Sequence, residues 1–114
     1  MIKYNVINNP LGFVMRKAKP KIHPIVSCYD EFNYDQKEKL SHIKSIVISR
    51  ISTCTMYVFG SQINGNWDET SDFDIVVCGK LSGEDKRYLR SFDYGFKVDI
   101  AFTESTQGNR QIEF

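Results

Sequence analysis

Asp72 and Asp74 stand two residues apart in the run Ser71-Asp72-Phe73-Asp74-Ile75-Val76-Val77. A β-strand turns successive side chains to opposite faces, so both carboxylates share one face, with Cα atoms about 6.6 Å apart. Phe73 and Ile75 then face the core. Asp99 interrupts Phe96, Val98, Ile100 and Phe102 with the same alternation and points away from them. If the two strands are neighbours, Asp99 lies beside Asp72 and Asp74. Three carboxylates so close repel one another, and each pKa rises unless a cation neutralises them. An oxygen-only donor set suits Mg2+ or Mn2+ rather than zinc. Paired ions about 3.5–4 Å apart serve phosphoryl chemistry by stabilising the attacking and leaving oxygens together. An isolated Asp-x-Asp is more often a solvated strand edge. Asp99, a charge inside an apolar strand, weighs against that plainer reading.

Gly60-Ser61 follows the apolar stretch Tyr57-Val58-Phe59 and opens a turn. Glycine lets backbone approach a phosphate closely, and N–H groups at a helix start favour an anion. A simple turn is the alternative. Gly60 and Gly65 have the glycine spacing of a P-loop, but Asn66-Trp67 stand where Lys and Ser or Thr are required, so that motif is excluded. Arg16, Lys17, Lys19 and Lys21 offer contacts to nucleic acid or a triphosphate, with a solvated basic loop as the plainer reading. Lys97 suits either a phosphate or a salt bridge to Asp99. Tyr57 reads as core. Trp67 stays open between stacking on a base and packing in its loop. His23 and His42 have no metal-ligand spacing and read as structural.

These residues need a scaffold. Leu40, Ile43, Val47 and Ile51 make one stripe and predict a helix over residues 35–51, with Asp35 as cap and Glu38 completing a capping box. A strand is predicted from Thr53 to Phe59, a short helical turn at Ser61, and a second strand from Asp72 to Val77. Ser82 with Asp85 opens a helix running to about Arg90, and a third strand follows from Gly95 to Phe102. Roughly sixteen residues separate the second and third strands, enough for the crossover of a parallel pair. Residues 1–34 read as an N-terminal extension, a hairpin followed by a basic, proline-broken stretch. Residues 35–103 form the core, and residues 104–114 a polar tail. The fold class is α+β with a small mixed sheet flanked by helices.

With 114 residues, 41% hydrophobic and 13% aromatic, the chain can fill one core, which excludes a disordered segment. Fifteen basic against fourteen acidic residues give a net charge of +1, so any anion binding is local rather than a global field. No apolar run approaches the length of a membrane span or a signal peptide. Cys28, Cys54 and Cys78 are odd in number and far apart, which fits reduced thiols in a cytoplasmic protein. Two of them are expected to be buried beside strands.

Taken together, Gly60-Ser61, Gly65, Ser71-Asp72-Phe73-Asp74-Ile75-Val76-Val77 and Lys97-Val98-Asp99-Ile100 resemble the signature of polymerase-beta-type nucleotidyltransferases, above all the minimal nucleotidyltransferases. The resemblance covers about residues 38–102 and implies the nucleotidyltransferase fold. It implies that Asp72, Asp74 and Asp99 bind Mg2+ or Mn2+, that Asp99 helps deprotonate an acceptor hydroxyl, and that Gly60, Ser61 and Ser71 hold the nucleotide. The reaction implied is transfer of a nucleoside monophosphate from an NTP, usually ATP, to a protein, RNA or small molecule. Gln62 and Asn64 depart from the family, which often carries basic residues there. A second function implied by the resemblance is that of an antitoxin-like module neutralising a toxin-like protein partner, with or without catalysis. A nucleic-acid-binding role for the fold is a third.

Overall fold

The computed structural model describes residues 22–105 and 110–114. The hairpin expected within residues 1–15 and the basic residues Arg16, Lys17, Lys19 and Lys21 lie outside them. A short 3₁₀ turn at Tyr29–Glu31 precedes helix α1 at Tyr34–Ile48 and strand β1 at Thr55–Phe59. Next come α2 at Ser61–Asn64, β2 at Phe73–Cys78, α3 at Gly83–Ser91, β3 at Val98–Thr103 and β4 at Ile112–Glu113. The sheet has the order β3-β2-β1-β4. β1 runs antiparallel to β2 and β4, while β2 and β3 run parallel with α3 as their crossover. The chain thus adopts the α+β class with a mixed sheet, as predicted.

Alternation decides which sheet face is filled. Met56 and Val58 of β1, Phe73, Ile75 and Val77 of β2, Ile100 of β3 and Ile112 of β4 are all buried in one core. Leu40, Ile43 and Val47 of α1 and Leu89 of α3 join them, so the stripe read from spacing is the face that packs. Each such side chain contributes about 1.5–3 kcal/mol relative to its exposed state. Ser82 caps α3 by accepting from the Asp85 N–H at 3.0 Å. At the other end the Tyr94 hydroxyl donates to the Leu89 carbonyl at 2.7 Å, filling one of the acceptors that a helix terminus leaves open. Burial pushes the Tyr94 pKa up to about 12. No helix among the described residues is long and apolar enough to cross a membrane.

Several expectations need correcting. The cap of α1 is Asn33, not Asp35: Asn33 Oδ1 accepts from the Gln36 N–H at 2.7 Å, and Gln36 Oε1 accepts from the Asn33 N–H at 3.1 Å. The helix starts early because Gln36 is needed inside it, buried against α2. Asp35 instead pairs with Lys39 at 3.0 Å on the surface. Tyr57 is half-buried on the face opposite Met56 and Val58, where a period of two places it. The expected polar tail returns to the sheet: Ile112 pairs with Val58 and is buried, and the Phe114 N–H donates to the Met56 carbonyl at 3.0 Å. Val26 and Phe32 precede the expected core boundary, yet both pack into the core. Cys54 and Cys78 are half-buried and Cys28 is exposed, so none of the thiols is fully enclosed.

The position of the cap is open to test by urea titration. Asn33→Ala should cost about 1 kcal/mol. Asp35→Ala, which loses only an exposed i,i+4 pair, should cost no more than about 0.5 kcal/mol. The opposite ranking would return the cap to Asp35.

Candidate active site

The parallel ladder sets Asp74 opposite Asp99, and the antiparallel ladder sets Phe59 opposite Asp74. Phe73 and Ile75 are buried on the core face, so Asp74 projects from the other one. Asp72, immediately before β2, is exposed, as is Asp99, whereas Asp74 is half-buried. Burial pushes the Asp74 carboxyl above the ordinary carboxylate range, and the negative charges of Asp99 and then Asp72 push it further. The two strands are therefore neighbours, and Asp74 stands within the field of the other two acids. Among the described residues, however, no three His, Cys, Asp or Glu side chains are close enough to grip a metal ion as they stand.

Gly60 ties the Gly-Ser turn to this cluster. Its backbone has φ +80° and ψ −146°, a region almost confined to glycine. A Cβ at this position would collide with Asp74 Oδ2, so the turn and the carboxylate touch only because residue 60 has no side chain. The Gly60 carbonyl accepts from the Ile63 and Asn64 N–H groups, both at 3.1 Å, and winds the single turn of α2 that begins at Ser61. Ser61 is half-buried at its start. Gly65 closes the turn in the left-handed conformation, φ +85°, where a Cβ would strike the His23 carbonyl. The two glycines with P-loop spacing thus permit two close approaches, one to a carboxylate and one to backbone.

The loop from Gly65 to Asp72 is bound by its own side chains. Asp68 Oδ1 accepts from the Thr70 N–H at 2.8 Å, from the Thr70 hydroxyl at 2.7 Å and from the Ser71 hydroxyl at 3.4 Å. These bonds, those from Thr70 foremost, hold the Asp68 carboxyl below the usual carboxylate range. Ser71 Oγ also accepts from the Asp68 N–H at 2.9 Å. The Ser71 hydroxyl, expected to contact nucleotide, is therefore engaged in shaping the loop that presents Asp72. Trp67 stacks on His23 with ring centroids 3.7 Å apart and planes 7° apart. The His23 N–H donates to the Gly65 carbonyl at 2.6 Å, and Arg110 reaches Asn64 Oδ1 at 3.0 Å and the Val26 carbonyl. One face of Trp67 is thus taken by packing, and the imidazole of His23 has a structural role.

A cleft of about 450 Å3 opens beside this loop, between Trp67, Thr70, Phe96 and Lys97. Lys97 is exposed and forms no ion pair with Asp99 among the described residues. A hollow of about 910 Å3 near Cys54, Cys78 and Lys80 lies at the opposite end of the sheet and has no carboxylate cluster.

Gln36, Gln62 and Asp68 are structural determinants of the site that sequence reading passed over. Gln36 had a usable signal, since it stands three residues after Asn33 in capping-box spacing. Gln62 had none: a polar residue after Gly-Ser reads as part of a phosphate loop, yet it is 2% exposed. Its Nε2 donates to the Asp72 carbonyl at 3.3 Å, and its Oε1 accepts from Gln36 Nε2 at 2.9 Å.

The sequence pattern of the nucleotidyltransferase domain family matches residues 40–108, which carry the Gly60-Ser61 turn and all three aspartates. No curated protein matches the chain. Since the family pattern spans more than half of the 114 residues, the chain belongs to the nucleotidyltransferase domain family.

Proposed function

We propose that the chain transfers a nucleoside monophosphate from a nucleoside triphosphate, with ATP as the first candidate, to an acceptor hydroxyl on a protein, an RNA or a small molecule. The observation carrying this reading is the contact of the Gly60 turn with Asp74, the residue that the ladder pairs with Asp99. It supports the reading because the turn that would receive a triphosphate and the carboxylates that would hold its counter-ions then stand at one end of the sheet. The donor set fits a hard divalent cation: Asp72, Asp74 and Asp99 offer oxygen donors alone, and two of them are exposed. Mg2+ or Mn2+ held there would neutralise the carboxylates and the charge developing on the phosphates.

The chain's own groups divide the remaining work. Gly60 and Ser61 hold the triphosphate, the glycine by allowing close approach and the serine by its hydroxyl. Asp99 accepts the proton of the acceptor hydroxyl. The acceptor oxygen bonds to the α-phosphorus, the bond from that phosphorus to the β-bridging oxygen breaks, and pyrophosphate leaves. Catalysis of this kind rests on positioning and charge neutralisation. Free thiols at Cys28, Cys54 and Cys78 suit the reducing cytoplasm.

A second reading, carried by the resemblance to minimal nucleotidyltransferases, is an antitoxin-like module that neutralises a partner protein. A partner complex that survives triple substitution of Asp72, Asp74 and Asp99 by Ala would decide for binding without catalysis.

With Mg2+ present, label should pass from α-labelled NTP, and not from γ-labelled NTP, to an acceptor in a cell lysate. Asp72→Ala and Asp74→Ala should each lower that rate at least about a hundredfold. Label arriving from the γ-position would mean a kinase instead. Gly60→Ala should lose a similar factor and cost about 1–3 kcal/mol of stability, from strain and the collision with Asp74. Full activity in this variant would remove the turn from the site.

The raised pKa of Asp74 gives a further test in metal-free protein. Its folded-state pKa lies above its unfolded one, so ionisation opposes folding. The penalty is absent where the group is protonated and grows as pH rises through the carboxylate range. Asp74→Asn should therefore raise Tm at neutral pH, and the gain should fade below about pH 3. Millimolar Mg2+ should stabilise the wild type and not the variant. A Tm that stays the same in both proteins with and without Mg2+ would end the cation reading.

A further inference from the structure

Gln36 and Gln62 lie in the interior at 4% and 2% exposure, where an amide without partners is costly. Their bonds run in one direction. The Asn33 N–H donates to Gln36 Oε1 at 3.1 Å. Gln36 Nε2 donates to Gln62 Oε1 at 2.9 Å and to the Gln62 carbonyl at 3.3 Å. Gln62 Nε2 donates in turn to the Asp72 carbonyl at 3.3 Å. Reversing the Gln62 amide would set oxygen against the Asp72 carbonyl and nitrogen against nitrogen, so the orientation is forced.

The end of this chain is the informative part. Asp72 precedes β2, and the first ladder bond of that strand comes from the Phe73 N–H to the Lys97 carbonyl at 3.0 Å. Asp74 and Asp99 stand within the paired register of the sheet; Asp72 stands just before it. The peptide that joins Asp72 to Phe73 is bound to the ladder through its N–H alone, and its carbonyl is held by a side chain from the turn that carries Gly60 and Ser61. An apolar pair could fill the same space, but it would leave that carbonyl unheld.

We propose that Gln62 is the positioning residue for Asp72, setting the first carboxylate relative to the Gly60 turn, and that Gln36 locks Gln62 to α1. The consequence for cation affinity rests on the reading of Asp72 as a ligand given above.

The test uses the full chain in four forms: wild type, Gln62→Met, the double variant Gln36→Leu/Gln62→Met, and Asn33→Ala. The double variant removes both amides, so none is left unpaired. Asn33→Ala weakens the helix cap and leaves the glutamine pair in place, which separates stability from positioning. Three readouts are taken: Mn2+ affinity by electron paramagnetic resonance, hydrogen exchange over residues 66–72, and kcat and KM for the NTP. Both Gln62 variants should bind Mn2+ about ten- to a hundredfold more weakly, as loss of an outer-shell partner does. The fall should appear in kcat with KM little changed, and exchange over residues 66–72 should quicken about tenfold. Asn33→Ala should lose stability and keep its Mn2+ affinity. A double variant with wild-type Mn2+ affinity, or with unchanged exchange in that loop, overturns the proposal. If the wild type takes up no Mn2+, the ligand reading of Asp72 falls, while the exchange measurement still decides whether Gln62 holds it.

Discussion

Carboxylates do not gather unaided; here the backbone ladder between β2 and β3 holds Asp74 and Asp99 side by side. The ladder's register is fixed from the other face of the sheet. Phe73, Ile75, Val77 and Ile100 are buried together, and a slip of one residue would send Asp74 inward and Phe73 out. The magnitudes agree with this order of command. Two unit charges about 4 Å apart repel by about 1 kcal/mol in water and about 4 kcal/mol near a protein surface. Burying several large apolar side chains, at about 1.5–3 kcal/mol each, outweighs that. The core decides where the charges stand, and the repulsion that remains helps to raise the Asp74 carboxyl above the ordinary carboxylate range.

Register accounts for two of the three acids. The third depends on loops, and the loops are held by polar bonds rather than by area. Gly60 admits Asp74, Gly65 admits the His23 carbonyl, Asp68 winds the approach to Asp72, and Gln62 holds its peptide. None of these contacts buries much apolar surface. What they supply is direction, which a hydrophobic contact lacks. The division matches a general pattern: a common fold built on burial, with the chemistry set by a few directional contacts at its rim.

The legible parts of the sequence were those with a period. β1, β2, β3 and α1 each repeat their apolar residues often enough to be read, α3 is legible from Ser82 and Asp85 at its start, and the turning of Asp74 away from the core follows from the strand period. The parallel neighbourhood of β2 and β3 was inferable from the length of the crossover between them. What escaped was short or non-local. The two-residue β4 is too brief for alternation, and its partner β1 lies far away in the chain. The expected cap of α1, Asp35 with Glu38, has the same spacing as the actual one, Asn33 with Gln36, and the buried contact of Gln36 with α2 lies too far along the chain to be read from spacing. Gln62 looked like a weakened phosphate contact because polarity in a sequence says nothing about depth.

The stacked pair of Trp67 and His23 has a practical side. Trp67 is the single tryptophan of the chain and sits in the loop that leads to Asp72. Its indole ring is stacked 3.7 Å from the imidazole of His23. Ultraviolet emission from this chain therefore comes, for its tryptophan part, from one spot in the loop that leads to Asp72. The molecule carries its own optical probe, placed where any rearrangement of that loop changes the surroundings of the fluorophore.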